Sequence, residues 1–264
     1  MSARLLDRVA IVTGTARGVG ASIAEVFAHE GAIVVGLDID GDRGRAATQG
    51  LIAAGARAEF VEGDVTNERT VFDLVEHVHR TYGRIDALVS NAVYQREAKL
   101  LDATREDFDR HVAVNLLGPF LLSRAVLPVM IEQRRGSLVF MSSLVGVAAD
   151  PILPVYGMTK TGILGLMRSI AITYGQDGVR SNAICPGDID TELNQAYFAR
   201  ASDPVAARTR VERLYPMRRI AQPEEVAKVA LFLASDDSSF VSGTEVVIDG
   251  GFRALCYELQ ADPA

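Results

Sequence analysis

The stretch RVAIVTGTARGVG, residues 8–20, decides how the rest of the chain is read. Residues 8–13 form a short β-branched run of strand length. A helical pattern opens just beyond, over residues 21–30, with Ile23, Ala24 and Phe27 on one face. Gly31 stops that helix. Between strand and helix stand Gly14, Gly18 and Gly20, spaced Gly-xxx-Gly-x-Gly. Their position makes them informative, since the same glycines in an isolated loop would mark only a turn. At a helix N-terminus the unpaired N–H groups and the dipole favour negative charge. A Cβ at Gly14 or Gly18 would hold a pyrophosphate off, and Gly20 lets helix and strand pack closely.

The same alternation continues outward. Further strands are expected at 33–38, 58–62, 87–90, 137–141, 180–184 and 245–248, and helices at 67–82, 105–131, 156–174 and 223–234. Strands alternating with helices imply parallel pairing, right-handed crossovers and helices on both faces of one sheet. The expectation is an α/β, doubly wound fold, with one domain over 1–264. Residues 194–215 are charged and lack a clean period, so a loop over a substrate is expected near 190–215.

Composition narrows the partners. The net charge of −7 argues against nucleic acid, whose phosphates demand a basic face. Cys185 and Cys256 are too few for a disulfide framework or a metal cluster, and two free thiols in a reducing compartment are expected. His77 and His79 are two apart, so they do not share a helical face, and no metal is expected. The apolar stretch around 125–131 is interrupted by Pro128, so no membrane span is expected. Asp7 and Arg8 split the first apolar residues, unlike a signal peptide, and the expected location is the cytoplasm.

Asp38 ends the second expected strand, 18 positions after Gly20. A carboxylate there can accept from the hydroxyls of an adenosine ribose and would repel a 2′-phosphate. Arg17 pulls the other way, since a guanidinium can pair with that phosphate. Ile39, not a second cation, follows Asp38, so NAD is favoured over NADP. Asp64 ends the third strand and suits either the adenine amino group or a helix N-cap.

Tyr156 and Lys160 stand four apart at a helix start, on one face. A phenol is a poor base near its usual pKa of about 10, and a nearby ammonium favours its ionised form. Lys160 is one of only three lysines, with Lys99 and Lys228, in a chain that otherwise uses Arg. That makes a compact ammonium at this position pointed. An isolated Tyr-xxx-Lys could equally be an amphipathic face, but Ser142-Ser143 follows an expected strand thirteen positions before Tyr156.

Together these residues resemble the single-domain branch of the short-chain dehydrogenase/reductase family. Residues 13–20, Asp38, Asp64, Asn91-Ala92, Asn115, Ser143, Tyr156, Lys160 and Pro186-Gly187 fall in that family's order, and residues 241–251 resemble its C-terminal segment. The resemblance covers nearly the whole chain and implies a Rossmann-like sheet and hydride transfer. It implies that Tyr156 moves the proton on the substrate oxygen and Ser143 hydrogen-bonds that oxygen. Lys160 would lower the pKa of Tyr156 and hold the nicotinamide ribose, while Asn115 would anchor a water linking Lys160 to solvent. The implied cofactor contacts are Gly14, Arg17, Gly18, Val19, Gly20, Asp38, Ile39, Asp64, Val65, Asn91, Ala92, Tyr156, Lys160, Pro186, Gly187, Ile189 and Thr191.

Two departures touch the substrate side. Ser90-Asn91-Ala92-Val93 stands where the family has Asn-Asn-Ala-Gly, which adds bulk at Val93 and can shift Tyr94-Gln95. Asp188 replaces a more usual apolar or aromatic residue. The segment 186–194 and the tail 252–260 resemble sugar dehydrogenases of the family. Tyr94, Gln95, Asp150, Asp188 and Asn194 could then meet a polyol or sugar beside Ser143 and Tyr156. The alternatives are an NADPH-dependent 3-oxoacyl reductase, against which Asp38 counts, and a non-catalytic cofactor sensor. A sensor would not need Asn115, Ser143, Tyr156 and Lys160 all intact. The apolar segments 108–131 and 153–171, with the tail 252–260, point to a homo-oligomer, expected as a tetramer.

Overall fold

A computed structural model describes residues 3–255. Seven strands form one parallel sheet: β1 (Val9–Thr13), β2 (Ile33–Asp38), β3 (Arg57–Glu62), β4 (Ala87–Ser90), β5 (Gly136–Met141), β6 (Val179–Pro186) and β7 (Glu245–Ile248). Their spatial order is β3–β2–β1–β4–β5–β6–β7. The helices are α1 (Gly18–His29), α2 (Gly41–Ala53), α3 (Glu68–Tyr82), α4 (Arg105–Val112), α5 (Gly118–Glu132), α6 (Pro154–Tyr174), α7 (Glu192–Phe198), α8 (Pro204–Glu212) and α9 (Pro223–Ala234).

Strand β1 shows why the sheet is covered twice. Successive side chains of a strand point to opposite faces. Val9 and Ile11 join a core with Val71, Leu74 and Val78 of α3, Leu122 and Val126 of α5, and Ile163 and Met167 of α6. Ala10 and Val12 join another with Ile23 and Phe27 of α1 and Val226 and Leu231 of α9. Both faces of β1 are buried, so the strand reads as a continuous apolar run. The chain leaves β1 toward β2 on one side and returns to β4 on the other. That reversal opens a crevice at the carboxyl ends of β1 and β4, where doubly wound folds bind ligands. The fold is the expected single-domain α/β, Rossmann-like arrangement.

Four expectations are corrected. Residues 41–53, given no helix by periodicity, form α2, capped by the Asp40 side chain on the Arg43 N–H. Its buried face is Gly41, Gly44 and Thr48, so it carries no apolar period, and Gly44 packs against the Phe60 ring. The expected loop 194–215 contains α7 and α8. Asp203 caps α8 and Arg208 ties it to Asp190 at 2.8 Å, so polar contacts stand in for an apolar stripe. The expected helix 105–131 is interrupted by a π turn at Ala113–Leu117 between α4 and α5. The helical run Arg105–Glu132 is also long and apolar enough, by length and composition, to cross a membrane, contrary to the reading of Pro128 as a break. Pro128 lies inside α5, and 56% of the most apolar window is buried. Cys185 is buried; Cys256 and residues 256–260 of the apolar tail lie outside the described residues.

Candidate active site

The glycine turn fits a phosphate-bearing ligand on its own geometry. Gly14 and Gly18 have φ of +76° and +59°, which L side chains resist. A Cβ on Gly14 would come within 2.7 Å of the Asn91 amide, and one on Gly20 within 1.9 Å of the Gly14 carbonyl oxygen. At Gly18 the nearest obstacle is the Thr191 side chain, 3.5 Å off, so backbone lies open there. Helix α1 starts at this point, and among the described residues it has no side-chain cap and the buried Thr15 hydroxyl has no hydrogen-bond partner. Uncapped N–H groups and left-handed glycines suit a dinucleotide pyrophosphate. Val19 follows as the second residue of α1 and packs on the α1–α9 core.

Asp38 at the tip of β2 is rigidly held. One carboxylate oxygen accepts from the Ala16 N–H and the other from the Asp40 N–H, each at 2.9 Å. Ile39 beside it is exposed. Asp64 accepts from the Thr66 N–H at 2.8 Å, the N-cap-like alternative, while Val65 is buried against Gly118. Asn91 donates to the Thr13 carbonyl at 2.9 Å, and the Asn91 and Ala92 N–H groups both donate to the Thr13 hydroxyl at 3.0 Å. Thr13 thus locks β1 to β4 across the crevice, a role its strand position did not reveal.

Ser143 follows β5, and its hydroxyl accepts from the Val145 N–H at 3.3 Å. Tyr156 and Lys160 lie on α6, both buried, with the Lys160 Nζ 5.4 Å from the Tyr156 ring centroid. The expected lowering of the Tyr156 pKa is not found in the chain. Burial pushes it up to about 12, with the Ser143 hydroxyl offsetting this only in part. Lys160 donates to the Met141 carbonyl at 2.7 Å and is itself lowered to about 8 by burial. The same desolvation that disfavours a phenolate also disfavours an ammonium.

Asn115 sits in the π turn, which explains its reach. Its Oδ1 accepts from the Tyr94 N–H and its Nδ2 donates to the Tyr94 carbonyl, both at 2.9 Å. Nδ2 also donates to the Thr159 hydroxyl at 3.1 Å. Tyr94 is further flanked by the Arg110 guanidinium, 4.4 Å from its ring centroid, and by buried His111 at 4.8 Å. His111 in turn meets the Tyr156 ring edge-on at 6.4 Å. His111 escaped the sequence reading because a lone His in an amphipathic helix carries no motif.

Beyond β6, the Gly187 N–H donates to the Ile248 carbonyl at 2.8 Å, tying Pro186-Gly187 to β7. Ile189 bridges to Ala221, and Thr191, at the N-cap position of α7, faces the glycine turn. Of the expected substrate partners, Asp188 and Asn194 also hold bonds within the chain. Asp188 accepts from the Tyr215 hydroxyl at 2.6 Å and from Asn194 at 3.3 Å, and Asn194 also donates to the Ile189 carbonyl at 2.9 Å. These bonds fasten the segment that follows β6. Asp150 accepts from the Ile152 N–H at 2.8 Å in a local turn. Val93 is exposed and Gln95 half-buried, on the same loop as Tyr94.

Comparison with known proteins agrees with this geometry. A family profile described as Enoyl-(Acyl carrier protein) reductase matches residues 14–253. The chain is 39% identical over 251 residues to Oxidoreductase UcpA of Escherichia coli (strain K12), covering 94% of this chain and 95% of that protein. It is 37% identical over 248 residues to 3-oxoacyl-[acyl-carrier-protein] reductase FabG of Thermotoga maritima, covering 94% and 98%. Among solved structures, levodione reductase superposes with a TM-score of 0.92 at 32% identity, covering 96% of this chain and 100% of that one.

Proposed function

Because the chain belongs to the short-chain dehydrogenase/reductase family, and so is an NAD(P)-dependent oxidoreductase of alcohol and ketone groups, we propose that it uses NAD and acts on a secondary alcohol, with Tyr156 as acid and base. The observation that carries the NAD reading is Asp38. Its carboxylate is fixed by two N–H groups at the end of β2, where it can accept from ribose hydroxyls and repel a 2′-phosphate.

Residues Gly14 to Gly20 would hold the pyrophosphate, Asp38 and Ile39 the adenosine ribose, Asp64 and Val65 the adenine side, and Asn91 and Ala92 the cofactor's flank. Gly187, Ile189 and Thr191 would hold its far end. The dinucleotide, when bound, supplies the hydride acceptor for oxidation and the donor for reduction. Tyr156 takes the hydroxyl proton at its phenolic oxygen as the carbonyl forms, and returns it in reduction. Ser143 donates to the same substrate oxygen and steadies its developing charge. Lys160 supplies positive charge beside the phenol, and Asn115 holds the Tyr94 loop against α6.

A polyol or sugar, giving a ketone or lactone, is the narrower reading; Tyr94, Gln95, Asp150, Asp188 and Asn194 would meet its hydroxyls. The name of the Thermotoga relative supports a second reading, an NADPH-dependent 3-oxoacyl reductase, against which Asp38 stands. Exposed Phe108, Leu117 and Phe120 along α4 and α5 support a homotetramer, for which light scattering is the check. The deciding experiment follows NADH absorbance with polyols, sugars, cyclic alcohols and hydroxyacyl esters, each with NAD and NADP. Higher kcat/KM with NAD on a secondary alcohol is expected. A preference for NADP, or turnover of hydroxyacyl esters alone, would overturn the proposal.

A further inference from the structure

We propose that Glu192, the first residue of α7, is a cofactor-specificity residue that withholds Arg17 and Arg43 from a 2′-phosphate while drawing α7 over the glycine turn. The inference rests on the NAD reading above and adds a second determinant to Asp38.

Arg17 lies in the glycine turn as the residue before α1, and Arg43 lies in the first turn of α2, just past β2 and Asp38. They are the cations that flank the ribose end of the expected cofactor site. Both converge on one oxygen from a distant part of the chain. Glu192 Oε2 lies 3.2 Å from Arg17 Nη1 and 2.9 Å from Arg43 Nη1. The next cation along α2, Arg45, is committed to Glu62 and Asp42 at 2.7 Å each. Arg43 also stands 3.7 Å from Asp40. The two positive groups thus meet two negative ones, Asp40 and Glu192.

A 2′-phosphate is recognised by guanidinium groups that offer charge and paired N–H donors. Here such a phosphate would have to displace the Glu192 carboxylate from both arginines. A ribose with a free 2′-hydroxyl makes no such demand. Discrimination arises as much from what the site refuses as from what it binds. The two arginines hold the Glu192 carboxyl below its usual pKa, Arg43 more than Arg17, so its charge persists well into the acid range.

The same pairing has a mechanical side. Thr191, immediately before Glu192, already approaches Gly18, so the ion pairs fasten α7 at the point where a pyrophosphate would be covered. All three charged side chains are more than half exposed, so the pairs add little to overall stability and can open. Removal of the Glu192 charge therefore alters selectivity without unfolding the chain.

The test is calorimetric titration of the cofactor-free protein with adenosine 2′,5′-bisphosphate and with AMP. Glu192→Gln is expected to tighten the bisphosphate by about tenfold and leave AMP within about twofold, because freed charge-assisted contacts reach only the 2′-phosphate. Adding Arg43→Gln to Glu192→Gln should remove most of the gain. The proposal is overturned if Glu192→Gln leaves the bisphosphate unchanged, tightens both probes equally, or keeps its gain without Arg43. The wild-type preference between the two probes reads the NAD assignment separately. A wild type that already favours the bisphosphate sinks that assignment, while the change on substitution still decides the role of Glu192.

Discussion

Asn115 and Tyr94 are joined backbone to side chain in both directions: the Asn115 amide accepts from the Tyr94 N–H and donates to the Tyr94 carbonyl, each at 2.9 Å. The side chain replaces the strand neighbour that Tyr94 lacks beyond the end of β4. The π turn at Ala113–Leu117 gives Asn115 this aim, as such turns often do at functional sites. Asn115→Ala leaves two backbone groups and the Thr159 hydroxyl without this partner. A loss of about 1–3 kcal/mol in urea unfolding is expected. The KM for substrate should rise together with it, because the Tyr94 loop borders the Tyr156 ring through His111. An Asn115→Ala protein of wild-type stability and KM would show that the clamp does not hold the loop.

Tyr215 is the analogous fastener on the other side. Its hydroxyl donates to Asp188 at 2.6 Å and accepts from the Asp188 N–H at 2.8 Å, and burial holds its pKa well above the usual value for a phenol. Tyr215→Phe keeps the ring against Phe252 and deletes both bonds. It should cost about 1–2 kcal/mol of stability. It should also raise KM more than it lowers kcat, since the segment it anchors carries Thr191 and α7, not the proton-transfer group. Equal loss in kcat and kcat/KM would place Tyr215 in the chemistry instead.

The sheet was legible because parallel strands buried on both faces read as unbroken apolar runs, as in residues 9–13 and 137–141. Asp38, Tyr156 and Lys160 were legible because short spacings fixed their neighbours. What escaped was whatever depended on long-range pairing. Helix α2 buries Gly41, Gly44 and Thr48, with Gly44 against Phe60, so its inner face carries no hydrophobic signal. The π turn adds no residue type that marks it. The bond between Tyr215 and Asp188 escaped because nothing local announces a partner 27 positions away. The Glu192 pairs with Arg17 and Arg43 span 175 and 149 positions, so no window of sequence contains them.

Tyr156→Phe separates the proton from the packing. Phe retains the edge contact with His111 and the place beneath Lys160 but carries no transferable proton. Turnover should fall by about 10²–10⁴, the usual worth of general acid–base catalysis, with NADH binding retained. Burial holds Tyr156 at about 12, so the phenolate grows as pH rises toward that value. Wild-type alcohol oxidation should therefore accelerate with pH up to about 8, where the Lys160 ammonium begins to be lost. A Tyr156→Phe protein with the same basic limb and most of its turnover would mean that another group is the base.

Lys160 yields the sharpest dissociation of stability from activity. Burial lowers its pKa from the usual 10.5 to about 8. Between those values the unfolded chain keeps a proton that the folded chain has released, so stability rises with pH across that window. Below about pH 8 the unfavourable burial of the ammonium is present in full, roughly 3 kcal/mol at 1.36 kcal/mol per pKa unit. Lys160→Met fills nearly the same volume without charge, and loses only the bond to the Met141 carbonyl, worth about 1 kcal/mol. The variant should therefore be about 1–2 kcal/mol more stable than wild type in urea at pH 7. Its advantage should vanish as pH rises through 8 toward 10.5. Oxidation of the alcohol should be lost at every pH, since neither the phenol nor the ribose then has its ammonium. A variant less stable than wild type at pH 7, or an advantage that grows with pH, would show that Lys160 is not held at an electrostatic cost in the folded chain.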